Sequence, residues 1–262
     1  MPTIQQAIDA IVESFEVEPP EHTCDTVKIG DPRQPLRGIV TTFLASRKVI
    51  QQAADLGANL IITHEPTFYN HMDKTDWLAS DPVYTAKRDL LRRTQAVVWR
   101  CHDQWHAREP DGIITGVLRE LGWHTYAHPE RPYRCAIPPT TLGALAAHLK
   151  ERLGAPMLRV IGSDAQVCQN VGLLVGAAGG EWQIRAMHVE NLDTLVAGEI
   201  NEWEISEYIR DARDMGLTKA LVIVGHFNSE DAGMRYLAEH VRTVLPGVPV
   251  THIPTGDPFR FI

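Results

Sequence analysis

Short continuous apolar runs alternate along this chain with stretches whose apolar residues recur at helical spacing. Ser46 stands at an N-cap position ahead of Val49, Ile50, Ala53 and Ala54, and Gly57 supplies the stop. Residues 58–63 follow as a β-rich run ending in Leu60-Ile61-Ile62-Thr63. A second helical pattern covers residues 84–93, and the apolar run 96–99 comes after it. Residues 141–152 read as a helix ended by Gly154. Residues 171–175 have the pattern of a buried strand and lead into a glycine-rich turn at 176–180. A shorter strand at 195–197 precedes a helix over 201–215. The clearest strand is 220–224, after which Ser229 is expected to cap a long helix reaching Val244. Alternation of this kind predicts an α/β protein.

The turn-rich stretch 127–132, with Pro129 and Pro132, is the best candidate boundary. It divides the chain into a first lobe, residues 1–127, and a second, residues 128–262. The strand-helix rhythm on both sides permits two similar lobes. No sequence repeat or low-complexity segment is evident.

Composition narrows the partners. The 262 residues are 44% hydrophobic and 22% charged, ordinary for a globular chain with a sizeable core. The formal net charge of -8 argues against a nucleic-acid partner, which calls for clustered Lys and Arg. Arg88, Arg92 and Arg93 are the basic concentration, and their spacing reads as the wet face of a helix. Cys24, Cys101, Cys135 and Cys168 stand far apart, so neither a zinc ribbon nor a disulfide framework is indicated. Reduced thiols in the cytoplasm are the simplest expectation. No apolar run approaches the roughly 18 residues that span a bilayer, so no membrane partner is expected.

Three of the predicted strands end alike. The first runs into His64-Glu65; the second, after Arg100-Cys101, into His102 with His106 four residues on; the third, after Gly225, into His226 with Glu230 four residues on. The carboxyl ends of strands are where α/β proteins build sites. Imidazoles and carboxylates arriving together are what a first-row metal needs. A lone His after a strand is usually a surface or hydrogen-bonded residue, but three such ends are harder to dismiss. Pro66 after Glu65 excludes the helical H-E-x-x-H arrangement. His102 could orient a ligand or be structural. Glu199, after the 195–197 strand, could move a proton or be an ordinary first-turn Glu favoured by the helix dipole. The 176–180 glycines lack the Gly-Lys-Ser/Thr of a P-loop.

These residues also carry a resemblance. Residues 57–66, Gly-Ala-Asn-Leu-Ile-Ile-Thr-His-Glu-Pro, are similar to the G-A-D-L-I-I-T-H-H-P signature of the Nif-three-like family of dinuclear metal-centre proteins. Bacterial members of that family are named GTP cyclohydrolase I type 2 homologues. Residues 101–106, Cys-His-Asp-Gln-Trp-His, resemble the family's S-H-T-N-x-D; Ala197-Gly198-Glu199 resembles T-G-E; and residues 225–230 resemble G-H-x-x-[ST]-E. The likeness extends to the tail around Thr251-His252-Ile253-Pro254.

The resemblance implies two interlinked α/β lobes with mixed sheets flanked by helices, the metals between them, and a C-terminal tail able to cross back to the first lobe. It further implies a homo-oligomer, a hexameric ring. Carried over by position, the metal ligands are His64, Glu65, His106, His226 and Glu230. Glu65 replaces a family His and His106 a family Asp, so the inventory stays at three imidazoles and two carboxylates. Two divalent first-row metal ions are implied, with iron, zinc and manganese all compatible.

The expected activity is metal-dependent hydrolysis of a C–N bond in a small molecule, a cyclic amide, amidine or related heterocycle, with Glu199 and His102 as catalytic candidates. A ring-forming metal-binding regulator or metallochaperone is the alternative. An open coordination position would favour the enzyme and a site closed by protein ligands the alternative.

Overall fold

The computed structural model describes residues 1–18 and 20–262. In chain order its elements begin with α1 (Ile4–Glu13), β1 (Val27–Ile29), β2 (Ile39–Thr42), α2 (Arg47–Asp55) and β3 (Leu60–Thr63). Then come α3 (Pro82–Thr94), β4 (Val97–Arg100), α4 (Asp103–Ala107), α5 (Gly112–Leu121), β5 (Ala127–His128) and β6 (Arg131–Thr141). These are followed by α6 (Leu142–Arg152), β7 (Arg159–Ile161), β8 (Val167–Leu174), α7 (Gly180–Val189), β9 (Thr194–Ala197) and α8 (Glu207–Asp214). The chain closes with β10 (Ala220–Ile223), α9 (His226–Val244) and β11 (Val250–His252). Among the described residues no helix is long and apolar enough to cross a membrane.

Local chemistry accounts for several helix starts. Ser46 accepts the Val49 N–H ahead of α2, Asp81 accepts the Tyr84 N–H with Pro82 in the first turn of α3, and Thr141 accepts the Ala144 N–H ahead of α6. One start differs from expectation. Helix α9 begins at His226, directly after Gly225 with its φ of 96°. The left-handed turn that glycine permits starts the helix four residues early. Ser229 therefore lies in the first turn and is not its cap. The segment after β9 opens as a π-helical turn, Glu202–Ser206, before α8.

The backbone divides into two compact units: Met1–Ile113 with Met234–Thr255, and Ile114–Gly233 with Gly256–Ile262. The turn-rich 127–132 stretch lies in the second, where β5 pairs with β6.

The first unit holds a mixed five-stranded sheet in the order β1-β4-β3-β2-β11, parallel except for β1. All four residues of β2, β3 and β4 are buried, the mark of strands covered on both faces. One face, with Val40, Ile61 and Val98, packs with Val49, Ile50 and Ala53 of α2 and Leu90 and Leu91 of α3. The second unit holds a mixed six-stranded sheet in the order β5-β6-β8-β9-β10-β7, whose β8, β9 and β10 are parallel. Leu195, Ala197, Leu221 and Ile223 from that sheet pack with Ala186 and Met187 of α7 and Ile209 of α8. In each sheet the parallel strands end on one edge, and the chemistry sits there.

Candidate metal centre

In the first unit, β3 and β4 are register partners, Thr63 opposite Arg100, so the residues after them emerge together. His64 is fully buried, its N–H on the Thr42 and Phe43 carbonyls and its Nδ1 3.4 Å from the Cys101 carbonyl oxygen. His102 precedes α4, and His106 lies one turn into it. Their rings gather closely. His64 stacks on His102 with centroids 4.4 Å apart, and His106 stands 5.0 Å from His64 and 4.9 Å from His102. One ligating nitrogen from each of the three lies within 4.8 Å of the others. His64, Glu65, His102 and His106 are thus brought together.

Acidic side chains organise this group. Asp25 accepts the backbone N–H groups of His102, Asp103 and Gln104 at 2.7, 3.0 and 2.8 Å, capping the short α4. Asp103 takes His102 Nδ1 at 2.9 Å, and Asp111 takes His106 Nδ1 at 2.9 Å. Burial, reinforced by the His64 and His106 rings, lowers His102 to about 4 against the opposing pull of Asp103 and Glu65. His102 is therefore a neutral imidazole at neutral pH, the form that binds metals. Burial alone would raise the Asp103 carboxyl. The Cys24 N–H, His102 and Thr23 outweigh it and hold Asp103 well below the usual carboxylate range. The Cys24 thiol also approaches His102 and Asp103, but burial pushes it up to about 12, so it is a protonated thiol. All four cysteines are buried and unpaired with one another.

Arg100 was not singled out by the sequence patterns. Its guanidinium is fully buried, donating from Nε to the His64 carbonyl at 2.8 Å and from Nη1 to the His71 carbonyl at 2.5 Å. Glu65 faces it, with Oε2 3.7 Å from Arg100 Nη2 and Oε1 3.8 Å from His102 Nε2. Asp25, Asp103 and Asp111 were missed as well. The dipeptide His102-Asp103 was the available signal; Asp25 and Arg100 act over distances that only folding closes.

In the second unit, β8, β9 and β10 deliver Gly176, Glu199 and His226 to one edge. His226 has a carboxylate on each side: Nδ1 lies 3.2 Å from Glu199 Oε2, and Nε2 lies 3.1 Å from Glu230 Oε2 one turn on. Glu230 is buried and Glu199 half exposed, which separates their roles. Ser229 Oγ accepts the Gly176 N–H at 2.9 Å and donates to the His226 carbonyl at 2.8 Å, tying helix start to turn. Gly176 has φ +61°, and a Cβ there would lie 2.0 Å from Glu230 Oε1. The glycine-rich turn thus makes room for a carboxylate.

The donor chemistry fits a metal ion. Metal-binding histidines characteristically give their second nitrogen to a carboxylate or carbonyl, which fixes tautomer and ring orientation. His102, His106 and His226 each place Nδ1 on a carboxylate, and His64 places it near a carbonyl. In such an arrangement Nε2 is the nitrogen a metal takes.

The comparisons agree with this architecture. The family model described as Duf34/NIF3 (NGG1p interacting factor 3) matches residues 3–258. A Clostridium perfringens protein named GTP cyclohydrolase 1 type 2 homolog is 23% identical over 247 residues, covering 89% of each chain. A Neisseria meningitidis serogroup B protein of the same name is 26% identical over 230 residues, covering 86% of this chain and 87% of the relative. The crystal structure of a Bacillus cereus protein related to NIF3 superposes with a TM-score of 0.78 at 16% identity, covering 100% and 99% of the two chains. At that identity the likeness establishes a shared fold.

Proposed function

Starting from the fact that this chain belongs to the Duf34/NIF3 (NGG1p interacting factor 3) family, we propose that it is a metal-dependent hydrolase using two divalent first-row ions. The observation that carries the reading is the cluster of His64, His102 and His106, buried or half-buried, with carboxylates on the Nδ1 atoms of two of its rings. The proposed donors are His64, His106, His226 and Glu230; the resemblance adds Glu65, whose carboxylate also faces Arg100. When bound, two such ions polarise the attacked group and make water a better nucleophile at neutral pH.

The protein's own groups would complete the chemistry. Glu199 is half exposed and hydrogen-bonded to His226, so it can both orient that ring and exchange a proton with a leaving nitrogen. The name shared by relatives, GTP cyclohydrolase 1 type 2 homolog, supports a ring C–N bond as the target. The substrate class is a cyclic amide, amidine or related heterocycle. A homo-hexameric ring belongs to the same reading.

The test is metal analysis of protein purified without chelators and sized by light scattering. About two ions per chain in a six-chain particle are expected. Both His226→Ala and Glu230→Ala should lower occupancy, and the loaded wild type should open a cyclic amide, imide, amidine, purine or pteridine. Less than half an ion per chain after reloading would remove the metal centre. Full loading without turnover on any of these compounds would favour a metal-binding regulator.

A further inference from the structure

The resemblance gives His102 no ligand role, and the sequence leaves it as an orienting, a catalytic or a structural residue. Its surroundings decide otherwise. A histidine that orients a neighbouring ligand hydrogen-bonds to that ligand. Within the ligand set His102 Nε2 approaches Glu65 Oε1, but at 3.8 Å, too long for a hydrogen bond. His102 Nδ1 instead lies 2.9 Å from Asp103 Oδ1. His106 receives the same treatment from Asp111, at the same 2.9 Å. His102 is therefore an oriented residue, held as a metal-binding histidine is held. It also stacks face to face on His64, with which it shares a cluster of ligating nitrogens that includes His106.

Glu65, itself within ligating reach of His64, has a second partner. Its carboxylate faces the guanidinium of Arg100, which is buried and anchored by two backbone carbonyls. A fixed buried cation needs a nearby anion, and Glu65 supplies it.

Resting on the metal-centre reading above, we infer that His102 is a direct metal donor, completing a three-imidazole face with His64 and His106 that holds one ion without Glu65. Three neutral imidazoles suit zinc, cobalt and iron over manganese or magnesium, which take oxygen donors. Three histidines with a position left for water or substrate is a known form of catalytic zinc site. Asp103 then acts as a positioning residue for His102, and Glu65 as the counter-charge of Arg100.

The experiment titrates cobalt(II) into the full chain carrying His226→Ala and Glu230→Ala, which removes the other donor set, with binding read by the visible absorption of cobalt and by chelator competition. The parent is expected to bind one ion per chain. Adding His102→Ala or His102→Gln should weaken binding by about 100-fold or more and change the spectrum, and exogenous imidazole should restore the spectrum of the Ala variant. Asp103→Asn should weaken binding roughly 10-fold. Glu65→Gln, which keeps the side-chain shape, should stay within about threefold. Circular dichroism confirms that each variant is folded. Unchanged binding in both folded His102 variants, or loss of binding on Glu65→Gln alone, overturns the assignment while leaving the metal centre standing. If even the unmutated chain binds no ion, the metal-centre reading falls and this inference with it.

Discussion

At the scale of single residues, the candidate donors in each unit include histidines whose tautomers are set by acids. Asp103, Asp111 and Glu199 contribute no motif of their own, yet each fixes a ring. Glycine contributes by absence. Gly176 combines φ +61° with a virtual Cβ only 2.0 Å from Glu230 Oε1, so Gly176→Ala meets both backbone strain and a steric clash. The expected cost is about 1–3 kcal/mol of stability, visible as a lower urea midpoint, together with weaker metal binding as Glu230 is displaced. Unchanged metal affinity in that variant would show that the turn does not position the carboxylate.

At the scale of elements, parallel strands do the gathering and short helices the aiming. Pairing of β3 with β4 puts His64 beside Cys101 and His102, and α4 carries His106 one turn further. A five-residue helix is too short to be stable alone, which makes its cap decisive. Asp25 accepts three N–H groups at its start. Replacing Asp25 by Ala should cost about 1–2 kcal/mol and weaken metal binding through the loosened His102 and His106. Urea unfolding and chelator competition on the same preparations measure both. A stability loss with unaltered metal affinity would mean that α4 keeps its aim without the cap.

At the scale of the whole molecule, acid is the expected weakness of the metal-free protein. His102 lies near 4 when folded, against an ordinary 6.5. Between those values the unfolded chain binds the proton more readily than the folded one, so stability is fully present above about 6.5 and falls as pH drops towards 4. Asp103, also depressed when folded, loses its contribution further down, below its ordinary 3.8. Urea midpoints of the chelator-treated protein should therefore decline from pH 7 to pH 4.5, and less steeply in His102→Gln. Parallel declines in the two proteins would assign the acid sensitivity to other groups.

Much of this was readable along the chain. The alternation of apolar runs and helical patterns gave the α/β class, and Ser46 caps α2 as a side chain of its type does wherever a helix follows. The spacing of His64, His102, His106, His226 and Glu230 after apolar runs marked the strand ends. These features are local: each depends on neighbours within a turn or a strand. Other features were out of reach for equally physical reasons. Helix α7 buries Gly180, Gln183, Ala186 and Met187, too polar and small a face to show a periodicity. Ser229 reads as a cap by type, but the left-handed turn at Gly225 starts the helix before it. The pairing of Glu65 with Arg100, the capping of α4 by Asp25 and the space above Gly176 join residues far apart in the chain. Sequence determined which donors were available and that they would follow strands. Only the tertiary structure decided which nitrogen each histidine presents and which carboxylate answers a buried cation, because hydrogen bonds and ion pairs depend on distances that folding alone sets.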